Sequence, residues 1–128
     1  MREKIHRSGF IDTRIAWVRI QGSIFPIFYI VVCIPRKYCQ ETSFAHEIIT
    51  QLHTLVQSIP KTDCIIICGD FNYQLRHNIQ GLTGNWSMTK RNEDNRHYRL
   101  VINLMRDHNL FAVNTRFKSS LKQWNGKK

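Results

Sequence analysis

The stretch "IIICGDFNYQL", residues 65–75, joins an apolar run to a polar turn and decides how the whole chain is interpreted. Its first residues form a short continuous apolar segment, which is typical of a strand in a sheet covered on both faces. Gly69 allows the backbone to turn, and Asp70 and Asn72 follow two residues apart. If the backbone stays extended, these two side chains point to the same side and Phe71 points into the core.

A carboxylate and an amide at the end of a strand fit two explanations. Ligand sites in α/β sheets lie at the carboxyl ends of strands, where Asp70 can orient or deprotonate a water and Asn72 can hold a phosphate oxygen. On this explanation we expect the pair at the end of a central strand, within reach of a common phosphate. Gly, Asp and Asn are also favoured at strand-to-turn junctions for conformational reasons, so the four residues alone leave both explanations open.

The sequence before this stretch predicts a hairpin and a helix. Residues 13–20 alternate in polarity, residues 25–34 are mostly apolar, and a short turn with a glycine joins them, which favours an antiparallel hairpin. Apolar residues then recur at three- and four-residue steps in residues 41–60, as in an amphipathic helix.

The sequence after it predicts a long polar loop, a helix over residues 95–108 and a strand over residues 110–115, with Asn109 ending the helix. The predicted order is β-β-α-β-loop-α-β, a mixed α/β fold.

Composition points to a basic globular domain. The chain has 128 residues, of which 42% are hydrophobic and 22% charged, and its 19 Lys and Arg against 9 Asp and Glu give a net charge of +10. Such a charge favours anionic partners, above all DNA or another nucleic acid. No apolar run approaches the roughly 20 residues that span a bilayer, so we expect no membrane partner.

The four cysteines, Cys33, Cys39, Cys64 and Cys68, form no CxxC pair and have no histidine pair at zinc-ligand spacing. We predict that Cys64 and Cys68 lie buried on a strand, where cysteine acts as a small hydrophobic residue. Unpaired cysteines indicate a reducing intracellular location, the nucleus included.

Three segments resemble one known family. They are "VCIP" at residues 32–35, "GDFN" at residues 69–72, and "LVINLMRDHNLFAVNTRF" at residues 100–117. Their order and spacing resemble the endonuclease/exonuclease/phosphatase superfamily, which includes the DNase I-like nucleases. Within it, the chain is most similar to the endonuclease domain of non-LTR retrotransposons, over residues 9–124.

The resemblance implies a four-layer α/β sandwich, with two β-sheets packed face to face and helices outside. It also implies Mg²⁺-dependent cleavage of a DNA phosphodiester by an activated water. Asp70 matches the residue that activates the nucleophile and is the candidate metal ligand. Asn72 matches the residue that contacts the scissile phosphate.

The chain also departs from the family pattern. Cys33 stands where many members have a tyrosine, and neither the early asparagine and metal-binding glutamate nor the late Asp-His pair has a counterpart. The dipeptide Asp107-His108 lies on the second predicted helix, where we expect a helix surface. We therefore expect residues 1–128 to form a single partial domain, an incomplete and inactive fragment of the enzyme.

Four basic residues, Lys90, Arg91, Arg96 and Arg99, flank the long loop and the second helix. They are candidates for phosphate contacts, or they form a solvated face together with neighbouring acidic residues. Two other functions stay open: a non-catalytic, basic nucleic-acid-binding remnant, and a phosphatase of the same superfamily that acts on an inositol phosphate or a lipid. We expect no stable protein partner.

Overall fold

The structure, a computed structural model, describes residues 4–35, 42–72, 75, 78–86 and 96–118. Its elements are β1 (Lys4–Ile11), β2 (Ile15–Gln21), β3 (Pro26–Cys33), α1 (Thr42–Ser58), β4 (Cys64–Asp70), α2 (Arg96–Asp107) and a short 3₁₀ helix (Val113–Thr115). The fold is mixed α/β, as predicted, and is compatible with part of a DNase I-like fold.

The four strands form one sheet in the order β1-β2-β3-β4. β2 pairs antiparallel with both β1 and β3, which confirms the predicted hairpin. β3 and β4 pair in parallel, because α1 carries the chain back between them. Among the described residues β4 is an edge strand with β3 as its neighbour, so the expectation that it is central is wrong there.

The core lies between one face of the sheet and the two helices. Ile15, Phe28, Ile30 and Val32 are buried on this face, and the ring of Trp17 stacks on that of Phe28 with centroids 4.9 Å apart. Apolar residues of the two helices complete the cluster: Ile48, Ile49, Leu52, Leu55, Val56, Val101, Ile102, Leu104 and Met105. The helices thereby hold β3 and fix the position of its carboxyl end.

The opposite face of the sheet is apolar but is not covered by either described helix. On β4, Ile66 is 37% exposed, and the thiols of Cys64 and Cys68 are exposed. The alternating residues Ile65 and Ile67 are half-buried against the core. The prediction that both faces of β4 are covered, with its two cysteines buried, is therefore wrong in the described structure.

β1 has no counterpart in the predicted order. It pairs with β2 from Lys4 to Ile11, with a register shift between Ile5 and Arg7. Arg7 and Ser8 are exposed, and these polar residues hide the strand from an argument based on apolar alternation.

The predicted strand over residues 110–115 is not formed. The backbone N–H of Ala112 donates to the carbonyl of Leu82 at 2.8 Å, and the next residues close a 3₁₀ turn. Asn109 adopts a left-handed conformation with φ of 53° and ends α2, as predicted. Neither helix in the described ranges is long and apolar enough to cross a membrane.

Candidate active site at the carboxyl end of β4

Gly69 sets the geometry with which β4 leaves the sheet. Its φ is 138°, a conformation that residues with a side chain rarely adopt. A Cβ atom on Gly69 would lie 1.9 Å from the carbonyl oxygen of Val32, its neighbour on β3. Glycine is therefore required here both by its backbone conformation and by the close approach of β3.

Asp70 is the last residue of β4 and lies beside Cys33, the last residue of β3. Its carbonyl oxygen accepts a hydrogen bond from the backbone N–H of Ile34 at 2.8 Å, which extends the ladder to the very end of the strand. The side chain is exposed, and its Oδ1 accepts from the backbone N–H of Asn72 at 2.9 Å. The carboxylate is thus fixed in direction yet open to solvent.

Asn72 is held by the end of β3. Its side-chain Nδ2 donates to the carbonyl oxygen of Ile34 at 2.7 Å, and its φ of 52° is left-handed, which asparagine tolerates better than most residues. The side-chain amide is therefore positioned by a backbone carbonyl.

The geometry of the turn supports the conformational explanation for Asp70 and Asn72. An aspartate oxygen that accepts from the main chain two residues later is the conformational explanation for this Asp and Asn. The extended backbone that we expected is absent, because Asn72 has a positive φ. Phe71 packs against the core as predicted, although it is only half-buried. A shared phosphate within reach of Asp70 and Asn72 stays a prediction.

Arg14, just before β2, lies beside Cys33 at the end of β3, a proximity that was not predicted from the sequence. The backbone N–H of Cys33 donates to the carbonyl of Arg14 at 3.0 Å, and Nη1 of Arg14 lies 3.7 Å from Sγ of Cys33. Both residues line a cleft of about 530 Å³, together with Asp12 and Thr13 of the β1–β2 turn. Only the alignment of three strands brings Arg14 beside Cys33 and Cys33 beside Asp70, and no local motif signals it.

The basic candidates are placed less fully. Lys90 and Arg91 lie outside the described residues, and Arg96 begins α2 with a side chain that is also outside them. Arg99 is exposed on the first turn of α2. Their contact with phosphates stays a prediction.

The metal prediction can be tested against the donor set. Asp70 suits Mg²⁺ by type, because this ion takes oxygen ligands and binds through one or two carboxylates plus substrate phosphates. In the described ranges, however, no group of three or more His, Cys, Asp or Glu side chains could hold a metal ion. The described residues therefore do not form a magnesium site by themselves.

The other end of β4 carries a structural ion pair. The side chain of Asp63, just before β4, is fully buried, and Oδ1 and Oδ2 accept from Nη2 (3.0 Å) and Nε of Arg19. Hydrogen bonding to the guanidinium lowers the pKa of Asp63 below its usual value, although burial opposes this. The pair joins β2 to the start of β4.

A histidine pair links the two helices. The ring of His53 on α1 lies 4.6 Å from that of His108, with Nε2 of His53 3.3 Å from Oδ2 of Asp107. Nε2 of His108 is buried and has no hydrogen-bond partner in the described structure. Burial, followed by repulsion from His53, lowers the pKa of His108, and Asp107 opposes the shift. The expectation that Asp107-His108 is merely a helix surface is thus wrong for His108.

Comparisons with known proteins found distant similarity to one kind of protein. Craniofacial development protein 2 from Bos taurus is 30% identical over 119 residues, which are 92% of this chain and 19% of that protein. Its counterpart from Tragulus javanicus is 29% identical over 108 residues, 84% of this chain and 18% of that protein. The chain thus spans about a fifth of these curated relatives. No protein-family model and no solved structure matches.

Proposed function

We propose that this chain contributes the catalytic edge of an endonuclease-type phosphodiesterase, in which water attacks a phosphodiester of DNA. The observation that carries the proposal is the exposed, oriented carboxylate of Asp70 at the carboxyl end of β4, beside the amide of Asn72. The GDFN resemblance supports it, as does distant homology to a protein of the endonuclease/exonuclease/phosphatase-like superfamily. An origin in a non-LTR retrotransposon belongs to the same proposal.

Each of the two residues has a role that its contacts allow. Oδ1 of Asp70 is engaged by the Asn72 N–H, so the other oxygen, Oδ2, is the one that orients or deprotonates the attacking water. The Asn72 amide, fixed on the Ile34 carbonyl, contacts a phosphate oxygen as a preorganised group. A pair held in this way loses little freedom when the substrate binds.

Net charge selects the substrate class within the superfamily. A formal charge of +10 on 128 residues attracts a polyanion by releasing its counterions. This favours DNA over a single inositol phosphate or a lipid headgroup, the substrates of the phosphatase alternative. A nuclear or other intracellular site of action is consistent with a DNA substrate and forms part of the proposal.

Mg²⁺ dependence is proposed from the resemblance. When bound, such an ion would neutralise charge on the phosphate, with Asp70 as one of its ligands. The described residues contain no group of three or more His, Cys, Asp or Glu side chains that could complete its coordination. The second candidate function, DNA binding without catalysis, is favoured by this same shortage of ligands.

Binding of a short DNA duplex without Mg²⁺, measured by fluorescence anisotropy, tests the position of Asp70. If a phosphate docks beside this carboxylate, Asp70→Asn removes a repulsion at close range and raises the affinity roughly three- to tenfold. The asparagine keeps an oxygen that accepts from the Asn72 N–H, so the turn is preserved.

Glu47→Gln is the matched control, because Glu47 is exposed on α1 and the change removes the same charge. It alters the overall field of the protein but not the candidate site, and we expect less than about a twofold change. Equal changes in DNA affinity in the two variants would show that DNA does not bind beside Asp70, and would contradict the proposal.

A further inference from the structure

Arg14 is placed by the register of the sheet. It precedes β2, and its carbonyl accepts from the N–H of Cys33 at 3.0 Å. Cys33 in turn lies beside Asp70 in the parallel pair of β3 and β4. Because neighbouring strands lie about 4.8 Å apart, Arg14 and Asp70 flank the end of β3 from opposite sides, with their backbones two strand spacings apart.

The guanidinium of Arg14 is held over the end of β3. Nη1 lies 3.7 Å from Sγ of Cys33, and Cζ lies 5.4 Å from the ring centroid of Phe44 in the first turn of α1. A cation that contacts an aromatic face on one side is restrained without being neutralised. The side chain is half-buried, so it is also accessible from the cleft.

The two arginines of β2 and its turn differ in their partners. Arg19 is committed to the buried carboxylate of Asp63. Arg14 makes no ion pair with any carboxylate of the described residues, although Asp12 lines the same cleft, with its Oδ1 accepting from the Thr13 N–H. The positive charge of Arg14 therefore faces the cleft unneutralised within the described structure.

We propose that Arg14 binds a phosphate of the DNA backbone at the carboxyl ends of β3 and β4. A guanidinium offers two parallel N–H donors to phosphate oxygens. It also supplies the positive charge that a phosphate needs beside the carboxylate of Asp70. This inference rests on the proposed function, since it adds a substrate-binding residue to the same site.

The thiol of Cys33 provides a local reporter. Cys33 is exposed and next to Arg14, so a DNA phosphate bound by Arg14 covers its sulfur. Cys64 is also exposed but pairs with Ile27 near the other end of β3, so the same chain contains an internal reference thiol. The reduced 128-residue chain is treated with N-ethylmaleimide, with and without a saturating short DNA duplex, and each cysteine is quantified by peptide mass spectrometry.

DNA is expected to slow the modification of Cys33 severalfold and to leave Cys64 nearly unchanged. Arg14→Gln should abolish the protection of Cys33 and weaken DNA binding about tenfold. Arg14→Lys keeps the charge but not the two parallel donors of the guanidinium. Its DNA affinity and its protection of Cys33 should lie between those of the wild type and Arg14→Gln, which would also show that the turn still folds. Arg106→Gln, a matched charge change at an exposed position of α2, should leave the protection intact.

Protection that persists in Arg14→Gln, or an equal loss of affinity in Arg106→Gln, would overturn the inference. The thiol measurement reports on Arg14 and the Asp70→Asn affinity reports on the carboxylate. Failure of one is therefore distinguishable from failure of the other.

Discussion

β4 begins and ends beside an aspartate, and the two carboxylates have opposite surroundings. Asp63 precedes the strand with a fully buried side chain, and both of its oxygens accept from the guanidinium of Arg19. Asp70 ends the strand with an exposed side chain, and one of its oxygens accepts from the backbone N–H of Asn72. The two residues flank the same strand segment and share a residue type, yet only Asp70 is exposed to a ligand from solution.

The difference separates a contribution to stability from a candidate for chemistry. A buried charge is tolerated when it is paired and hydrogen-bonded, and removing its partner is costly. An exposed carboxylate held by one backbone N–H contributes little to folding and remains available to a substrate. The sequence alone cannot distinguish Asp63 from Asp70 in this way, because the partner of Asp63 is 44 residues away in the chain.

The largest expected effect on stability comes from a substitution at Gly69, next to Asp70 at the carboxyl end of β4. In Gly69→Ala the new Cβ meets the Val32 carbonyl at 1.9 Å and the φ of 138° is strained, so β4 must shift away from β3. We expect the free energy of unfolding to fall by more than about 3 kcal/mol, measured by urea denaturation. Gly81→Ala is the control: φ there is 76° but nothing lies within 4 Å, and the cost should be about 1 kcal/mol. Equal losses would show that β3 does not approach Gly69 closely.

The second prediction compares the two aspartates directly. Asp63→Asn weakens a buried pair and should lower the free energy of unfolding clearly, whereas Asp70→Asn should change it by less than about 0.5 kcal/mol. Because the folded-state pKa of Asp63 is lowered, its contribution is present above its unfolded pKa of about 3.8 and is lost as pH falls through the folded value. The difference between wild type and Asp63→Asn, measured by urea denaturation across pH, should therefore shrink below about pH 3.8. A difference that does not depend on pH would contradict the ion-pair explanation.

A smaller effect is expected where the helices meet. Burial lowers the pKa of His108 in the folded chain, so the unfolded chain binds the proton more readily. Stability is then complete above the unfolded pKa of about 6.5 and decreases as pH falls toward the folded value, by at most about 1.4 kcal/mol per pH unit for one proton. His108→Gln should remove this part of the pH dependence of stability. His53 and Asp107 stay unchanged in this variant, so any pH dependence that persists comes from other groups. A pH slope that is unchanged by the substitution would assign the proton elsewhere.

The long apolar elements of the fold were predictable, and the long-range contacts were not. The 3.6-residue apolar period predicts α1, and the short continuous apolar run predicts β4, and both patterns are local in the sequence. β1 was missed because it pairs only with β2 among the described strands and exposes Arg7 and Ser8. The false strand at residues 110–115 begins with an apolar run but finds no strand partner in the described structure. Its backbone hydrogen bonds go to Leu82, Trp86 and Met105 and within the segment.

The candidate site divides in the same way. Gly69, Asp70 and Asn72 were placed at a strand end by local sequence, although the positive φ of Asn72 was not foreseen. The proximity of Arg14 to Cys33, and of Cys33 to Asp70, depends on how β2, β3 and β4 are aligned. Register is a property of pairing between distant segments, and a short motif does not contain it.

The last prediction is that nuclease activity is not detectable, because the carboxyl end of β4 offers too few metal ligands among the described residues. Mg²⁺ needs carboxylates and phosphate oxygens around it, and the described residues offer Asp70 without a group of three ligands. Losing one general base or stabilising group commonly costs about 10²–10⁴ in rate. We therefore expect the 128-residue chain to bind DNA with an affinity that falls steeply as salt rises, and not to nick supercoiled plasmid measurably with Mg²⁺. Mg²⁺-dependent nicking that Asp70→Asn abolishes would show that residues outside the described ranges complete a metal site at this strand end. In that case the contrast with Asp63 would become one between a structural carboxylate just before β4 and a catalytic one at its carboxyl end.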